Sequence, residues 1–224
     1  MKINNHRLIS RLDELGQIGR DDQNRLARIA LTDADKLGRD QVVAWFESAN
    51  LEVKIDKIGN IHGIWSPSSV QEKPAIMMGS HIDTVLNAGI YDGNYGVLAG
   101  LEVIQTLQEA NYQPIRPIVI SAFTNEEGAR YAPDMMGSLV YAGGLPLEEA
   151  LKTQGNDGSI LGQELERIAY AGEYEPGFIP AHAYIELHIE QGPVLEQEGI
   201  SIGAVENLQG ISWQEITING TANH

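Results

Sequence analysis

Residues 75–123 constrain the chain most. A short apolar run, Ala75-Ile76-Met77-Met78-Gly79, stops at Ser80-His81. A helical stripe follows over about 94–109, with Val97, Leu98, Leu101, Ile104 and Leu107 at three- and four-residue spacing. Pro114 and Pro117 end that helix, and Pro117 to Phe123 forms a second apolar run. Strand, helix, strand at this spacing is a βαβ unit, whose crossover demands parallel strands in one sheet. The expected class is α/β, with a mixed, largely parallel sheet flanked by helices. With 42% hydrophobic residues in 224, the chain has enough apolar side chain to build such a core.

The segments on either side follow the same logic. Leu8, Leu12 and Leu15 predict a helix over 4–16, and Thr32 is a plausible N-cap for a helix over 33–49. The period then switches to two around Val53 and Ile55. Gly59-Asn60 supplies a turn before Ile61–Trp65, so 53–65 reads as a hairpin-like pair. Residues 124–180 mix Gly-rich turns with short helical pieces at Leu147–Lys152 and Gly162–Ala169. Further strands are predicted over 181–191, Ile200–Val205 and Trp213–Ile218, with a linker around Asn207–Gly210. The domain expectation is one body over 1–210 and the first strand of another over 211–224.

Composition removes several function classes. The chain has 15 Lys plus Arg against 31 Asp plus Glu, a formal net charge of −16. That balance argues against nucleic acid and anionic membranes, which require clustered cations. With no cysteine, disulfides, thiolate zinc sites and thiol catalysis are excluded. No apolar run approaches the ~20 residues of a membrane helix. The N-terminal segment lacks the apolar stretch of a secretory signal, so a soluble cytoplasmic protein is expected.

Polar residues cluster where chemistry is expected. In open α/β sheets functional groups lie beyond the carboxyl ends of parallel strands. The run at 75–79 leads into Ser80-His81-Ile82-Asp83, and the run at 117–123 leads into Thr124-Asn125-Glu126-Glu127-Gly128. Asp92-Gly93 opens the helix between them, and His188 lies in the later strand-like stretch. Four groups able to bind metal, His81, Asp92, Glu127 and His188, therefore converge at one sheet edge. Imidazole and carboxylate suit zinc, manganese, cobalt or nickel. Asp83, two residues from His81 on an extended segment, would accept the imidazole N–H. Of the adjacent Glu126 and Glu127, one can ligate while the other serves as general base. Each feature also has a plain structural reading: a satisfied histidine, an Asp-Gly turn, a solvated Glu-Glu pair. His6, His62 and His182 are taken as surface or structural residues.

Four ordered motifs carry a resemblance that spans nearly the whole chain. They are Gly79-Ser80-His81-Ile82-Asp83-Thr84-Val85, Tyr91-Asp92-Gly93-Asn94-Tyr95-Gly96, Thr124-Asn125-Glu126-Glu127-Gly128-Ala129-Arg130-Tyr131, and Glu186-Leu187-His188-Ile189-Glu190-Gln191-Gly192-Pro193. Together they resemble the M20 metallopeptidase-like amidohydrolases, in particular the hydantoinase/carbamoylase branch. The His188 segment carries the branch signal, since peptide-cleaving relatives usually place a carboxylate there. Asn219 to His224 resembles the start of that family's lid domain.

The resemblance implies two divalent ions (Zn2+, Mn2+, Co2+ or Ni2+), with His81, Asp92 and His188 holding one and Asp92 bridging to a second on Glu127. It implies Glu126 as the base, Asp83 as the residue orienting His81, Gln191 as a substrate contact, and His224 as a lid residue that stabilises the oxyanion. The implied substrate is a small ureido compound such as an N-carbamoyl-L-amino acid. Rivals are an aminoacylase or peptidase of the same family, and a non-catalytic metal-binding scaffold. The family also implies a homodimer joined through the lid. Family members are longer, so the expectation is a catalytic domain truncated at the start of the lid, with its second metal site incomplete and little activity alone.

Overall fold

A computed structural model of the chain describes residues 1–67, 70, 72–208, 210, 212, 214, 216–221 and 223. The chain divides into two compact units, Met1–Ile189 and Glu190–His224. The first contains a five-stranded sheet in the order β1-β2-β4-β3-β5. These strands are Glu52–Ile55 (β1), Ile61–Trp65 (β2), Ala75–His81 (β3), Ile118–Phe123 (β4) and Ala181–Ile185 (β5). β1 with β2 and β2 with β4 are antiparallel, whereas β3 runs parallel to both β4 and β5. The sheet is thus mixed, and its parallel half is the part that the βαβ spacing predicts.

The crossover helix is Asn94–Glu109 (α3), with Val97, Leu98, Leu101 and Ile104 fully buried in the main core. Pro117 lacks an N–H, but its carbonyl accepts from Ile76, so the proline sits where no ladder donor is needed. Helix Asn5–Leu15 (α1) buries Leu8, Leu12 and Leu15, as their spacing requires. Arg7 on α1 also pairs with Glu102 on α3, whose carboxylate further accepts from Asn4 N–H and Thr106 Oγ1. Helix Asp33–Ser48 (α2) starts at Thr32, whose hydroxyl accepts from Asp35 N–H. Inside it, Asp35 and Arg39 form a buried ion pair at 2.7 Å. Three short helices follow β4: Met136–Tyr141 (α4), Leu147–Leu151 (α5) and Leu161–Arg167 (α6).

Two predicted strands differ from the structure. The expected strand over 181–191 ends at Ile185, where β5 makes its last pairing, to Met78. Beyond it the chain runs across the start of α3, and the Leu187 carbonyl comes so close to Gly96 that a Cβ there would lie 3.0 Å from it. Residues 200–205 form no strand, because their alternating pattern meets no partner strand among the described residues of the second unit. Among its described residues that unit contains one short helix, Val194–Glu198 (α7), capped by the Glu190 carboxylate, which accepts from Val194 and Leu195 N–H. The expected strand over 213–218, the linker at 207–210 and the lid segment 211–224 all include residues outside the described set. Among the described residues, no helix is long and apolar enough to cross a membrane.

Candidate metal centre

β3 delivers His81 to the carboxyl edge of the sheet, 2% exposed. Its Nδ1 lies 2.9 Å from the backbone carbonyl of Asp83. This contact fixes the tautomer: the proton sits on Nδ1, and Nε2 presents a lone pair. The strand ends at His81, so the extended geometry that would aim Asp83 at the ring does not persist. The Asp83 carboxylate stands 3.8 Å from Nδ1 and instead accepts from the backbone N–H groups of Glu126 and Glu127, each at 3.2 Å. Asp83 therefore ties the His81 loop to the loop after β4.

Asp92 arrives on the turn that opens α3. Gly93, the N-cap, has φ +64°, and a Cβ built on it would lie 2.6 Å from three atoms of the His81 ring. The Asp92-Gly93 pair is a turn, as the plain reading has it, but one that is pressed against the face of the imidazole. His188 follows β5, with its Nδ1 2.6 Å from the Ile189 carbonyl. The same tautomer argument applies, and its Nε2 lies 3.2 Å from Asp92 Oδ1. His81 Nε2 lies 3.9 Å from that oxygen. One ligand atom each from His81, Asp92 and His188 falls within 4.8 Å of the others. Two imidazole lone pairs and a carboxylate oxygen are a donor set that fits a zinc-like divalent ion.

Glu126 reaches the same place, its Oε2 3.2 Å from His81 Nε2. Glu127 lies outside the three-residue cluster but within its electrostatic field. Burial pushes the carboxyls of Asp83 and Glu126 above their ordinary values, the neighbouring carboxylates add to the shift, and His81 opposes it. Glu127 is pushed up to about 7 for the same reasons. Burial alone would lower the His81 pKa, but Asp83, Glu126 and Glu127 outweigh it and raise it. So many acidic groups around two imidazoles favour a bound cation. A cavity of about 280 Å3 opens beside Glu126, with Met77, Phe123, Met135, Tyr141 and Tyr184 among its apolar walls.

The remaining predicted residues fall elsewhere. Gln191 belongs to the second unit, and His224 lies outside the described residues. His62 is buried and structural, its Nδ1 2.8 Å from Ser121 Oγ. Sequence reasoning missed Arg28 and Asn94, two buried groups that brace the site. The available signal was a lone arginine inside the apolar stretch Leu26 to Leu31.

The fold and this donor set define a class: an α/β protein with a candidate metal centre at the carboxyl edge of its parallel strands. The chain belongs to the peptidase family M20/M25/M40, whose model matches residues 77–222. It is 40% identical, over 100% of its own length and 53% of the relative's, to an N-carbamoyl-L-amino-acid amidohydrolase of Rhizobium meliloti. It is 34% identical to a probable allantoate deiminase of Oryza sativa subsp. japonica, over 96% of this chain and 45% of that one. A hydantoinase/carbamoylase family amidase from Burkholderia ambifaria matches with a TM-score of 0.85 and 42% identity, over 88% of this chain and 48% of the other. The chain spans about half the length of the curated relatives it matches.

Proposed function

We propose that these residues serve a metal-dependent amidohydrolase that cleaves the C–N bond of a ureido group, in an N-carbamoyl-L-amino acid or a related ureido acid. The observation that carries this is the facing arrangement of His81 Nε2, His188 Nε2 and Asp92 Oδ1, with Glu126 Oε2 beside His81. His81, Asp92 and His188 would hold one divalent ion, and Asp92 with Glu127 would contribute to a second. The ion supplies Lewis acidity toward a carbonyl and toward water. Glu126 accepts a proton from the attacking water on Oε2 and returns it to the leaving nitrogen. The Asp83 carboxylate holds the backbone of Glu126 and Glu127, which fixes where the base stands. Gln191 and His224 are assigned to the substrate.

The names of the relatives favour ureido over acyl substrates. Metal content is measured first. Turnover is then compared on N-carbamoyl-L-amino acids and N-acyl-L-amino acids, for the full-length parent protein and its Glu126→Gln variant. The proposal expects preference for the carbamoyl series, and loss of turnover in Glu126→Gln with metal retained. Preference for acyl substrates would replace the substrate class, and surviving activity in Glu126→Gln would remove the assigned base.

A further inference from the structure

We propose that Arg28 is a positioning residue that fixes the His81 and Asp92 segments relative to one another and thereby sets the affinity of the metal centre. The inference rests on the metal reading above and extends it to a residue that makes no contact with the ligand atoms.

Arg28 is a fully buried arginine that donates to no carboxylate among the described residues. Its Nε donates to the Ile82 carbonyl at 2.8 Å, between His81 and Asp83. Its Nη2 donates to Asn94 Oδ1 at 2.8 Å, just after Asp92-Gly93. Its Nη1 donates to the carbonyls of Leu15 and Ile18, both at 2.8 Å, at the end of α1. Asn94 in turn donates from Nδ2 to the Ile90 carbonyl, closing the turn that contains Asp92. The backbone of Arg28 pairs with Thr84 in both directions, through Thr84 Oγ1 and Thr84 N–H.

The consequence follows from the shape of the guanidinium. It is planar, and its donors keep fixed mutual angles. Ile82 O and Asn94 Oδ1 are therefore held at a set separation and orientation, and the two metal-bearing segments with them. Burying a cation without a hydrogen-bonded carboxylate is costly, and desolvation lowers the pKa of Arg28 to about 10. Space is reserved for it as well: a Cβ on Gly38 would lie 2.6 Å from Arg28 Cδ. An apolar side chain of similar volume would fill the same room but leave these acceptors unpaired.

The test uses Co2+ as probe on the metal-free chain, read by titration and by the visible absorption of the bound ion. Arg28→Met and Asn94→Ala are compared with the native sequence. Ile104→Ala, a buried change further along α3, controls for lost stability. We expect Co2+ affinity to fall by roughly 10–100-fold in Arg28→Met, less in Asn94→Ala, with altered spectra in both. Arg28→Lys should recover only part of the loss. Ile104→Ala should lower the melting temperature yet keep native affinity and spectrum. If Arg28→Met fails to fold, Asn94→Ala, which keeps the cation, carries the test. Native Co2+ affinity and spectra in Arg28→Met and Asn94→Ala would overturn the positioning role alone. Failure of the native sequence to bind Co2+ would overturn the metal reading, and this inference with it.

Discussion

Replacing Gly93 by alanine separates two demands that the structure makes on one residue. The first is conformational: φ is +64° with ψ −52°, outside the left-handed helical region, where an L-residue costs about 1–3 kcal/mol. The second is steric: the new methyl would lie 2.6 Å from three His81 ring atoms, so the ring or the helix start must move. Overpacking of this kind costs about 1–3 kcal/mol. Gly158→Ala is the matched control, since Gly158 has φ +83° with nothing within 4 Å of a built Cβ. It carries the first term without the second. Equilibrium urea unfolding with unchanged slope should show Gly158→Ala weaker by about 1–2 kcal/mol and Gly93→Ala by roughly 2–6 kcal/mol. Metal affinity should fall in Gly93→Ala, because displacing the ring moves a ligand, and stay native in Gly158→Ala. Equal destabilisation of the two variants, with metal binding intact in both, would refute the claim that Gly93 seats the imidazole.

Three further outcomes follow from the site and the core. Glu127 rises from 4.5 to about 7 on folding, so its contribution to stability is fully present below pH 4.5 and lost as pH rises to 7; Asp83, Glu126 and His81, all raised, act in the same direction. The metal-free chain should therefore melt at lower temperature as pH rises through that window. Glu127→Gln should flatten the trend, and a rising melting temperature would contradict it. Arg39→Met strips the partner from Asp35, 0% exposed, and should cost about 3–5 kcal/mol in denaturant unfolding. Thr32→Ala removes the N-cap of α2 and should cost about 1 kcal/mol by the same measurement.

Much of the architecture was legible because apolar period and burial coincide. β3, α3 and β4 bury the residues that their spacing selects, and the polar clusters emerge at the edge where parallel strands end. The His188 strand was read too long because Glu186 to Glu190 still alternates, and alternation does not show where pairing stops. Residues 200–205 fail for a related reason, since a strand is a property of two chains in register. The role of Asp83 was legible only in part. Its distance from His81 suggested a carboxylate contact, yet the backbone carbonyl makes the hydrogen bond and the carboxylate serves another loop. The lone arginine in the apolar stretch Leu26 to Leu31 marked a buried cation, but the roles of Arg28 and Asn94 were not legible, because their partners Ile82 O and Ile90 O are main-chain groups that every residue possesses.

β5 is exposed along its whole length and among the described residues pairs only with β3, yet the chain reaches His188 through it. The three grouped ligands thus come from the interior of the sheet, from the crossover turn and from the rim. An ion shared among them couples an exposed edge strand to the buried end of an interior one. By mass action, an ion present at a hundred times its dissociation constant adds about 2.7 kcal/mol against any opening that requires its release. Backbone amides at Ala181–Ile185 would then exchange more slowly when the centre is loaded, making the rim of the sheet a remote gauge of occupancy.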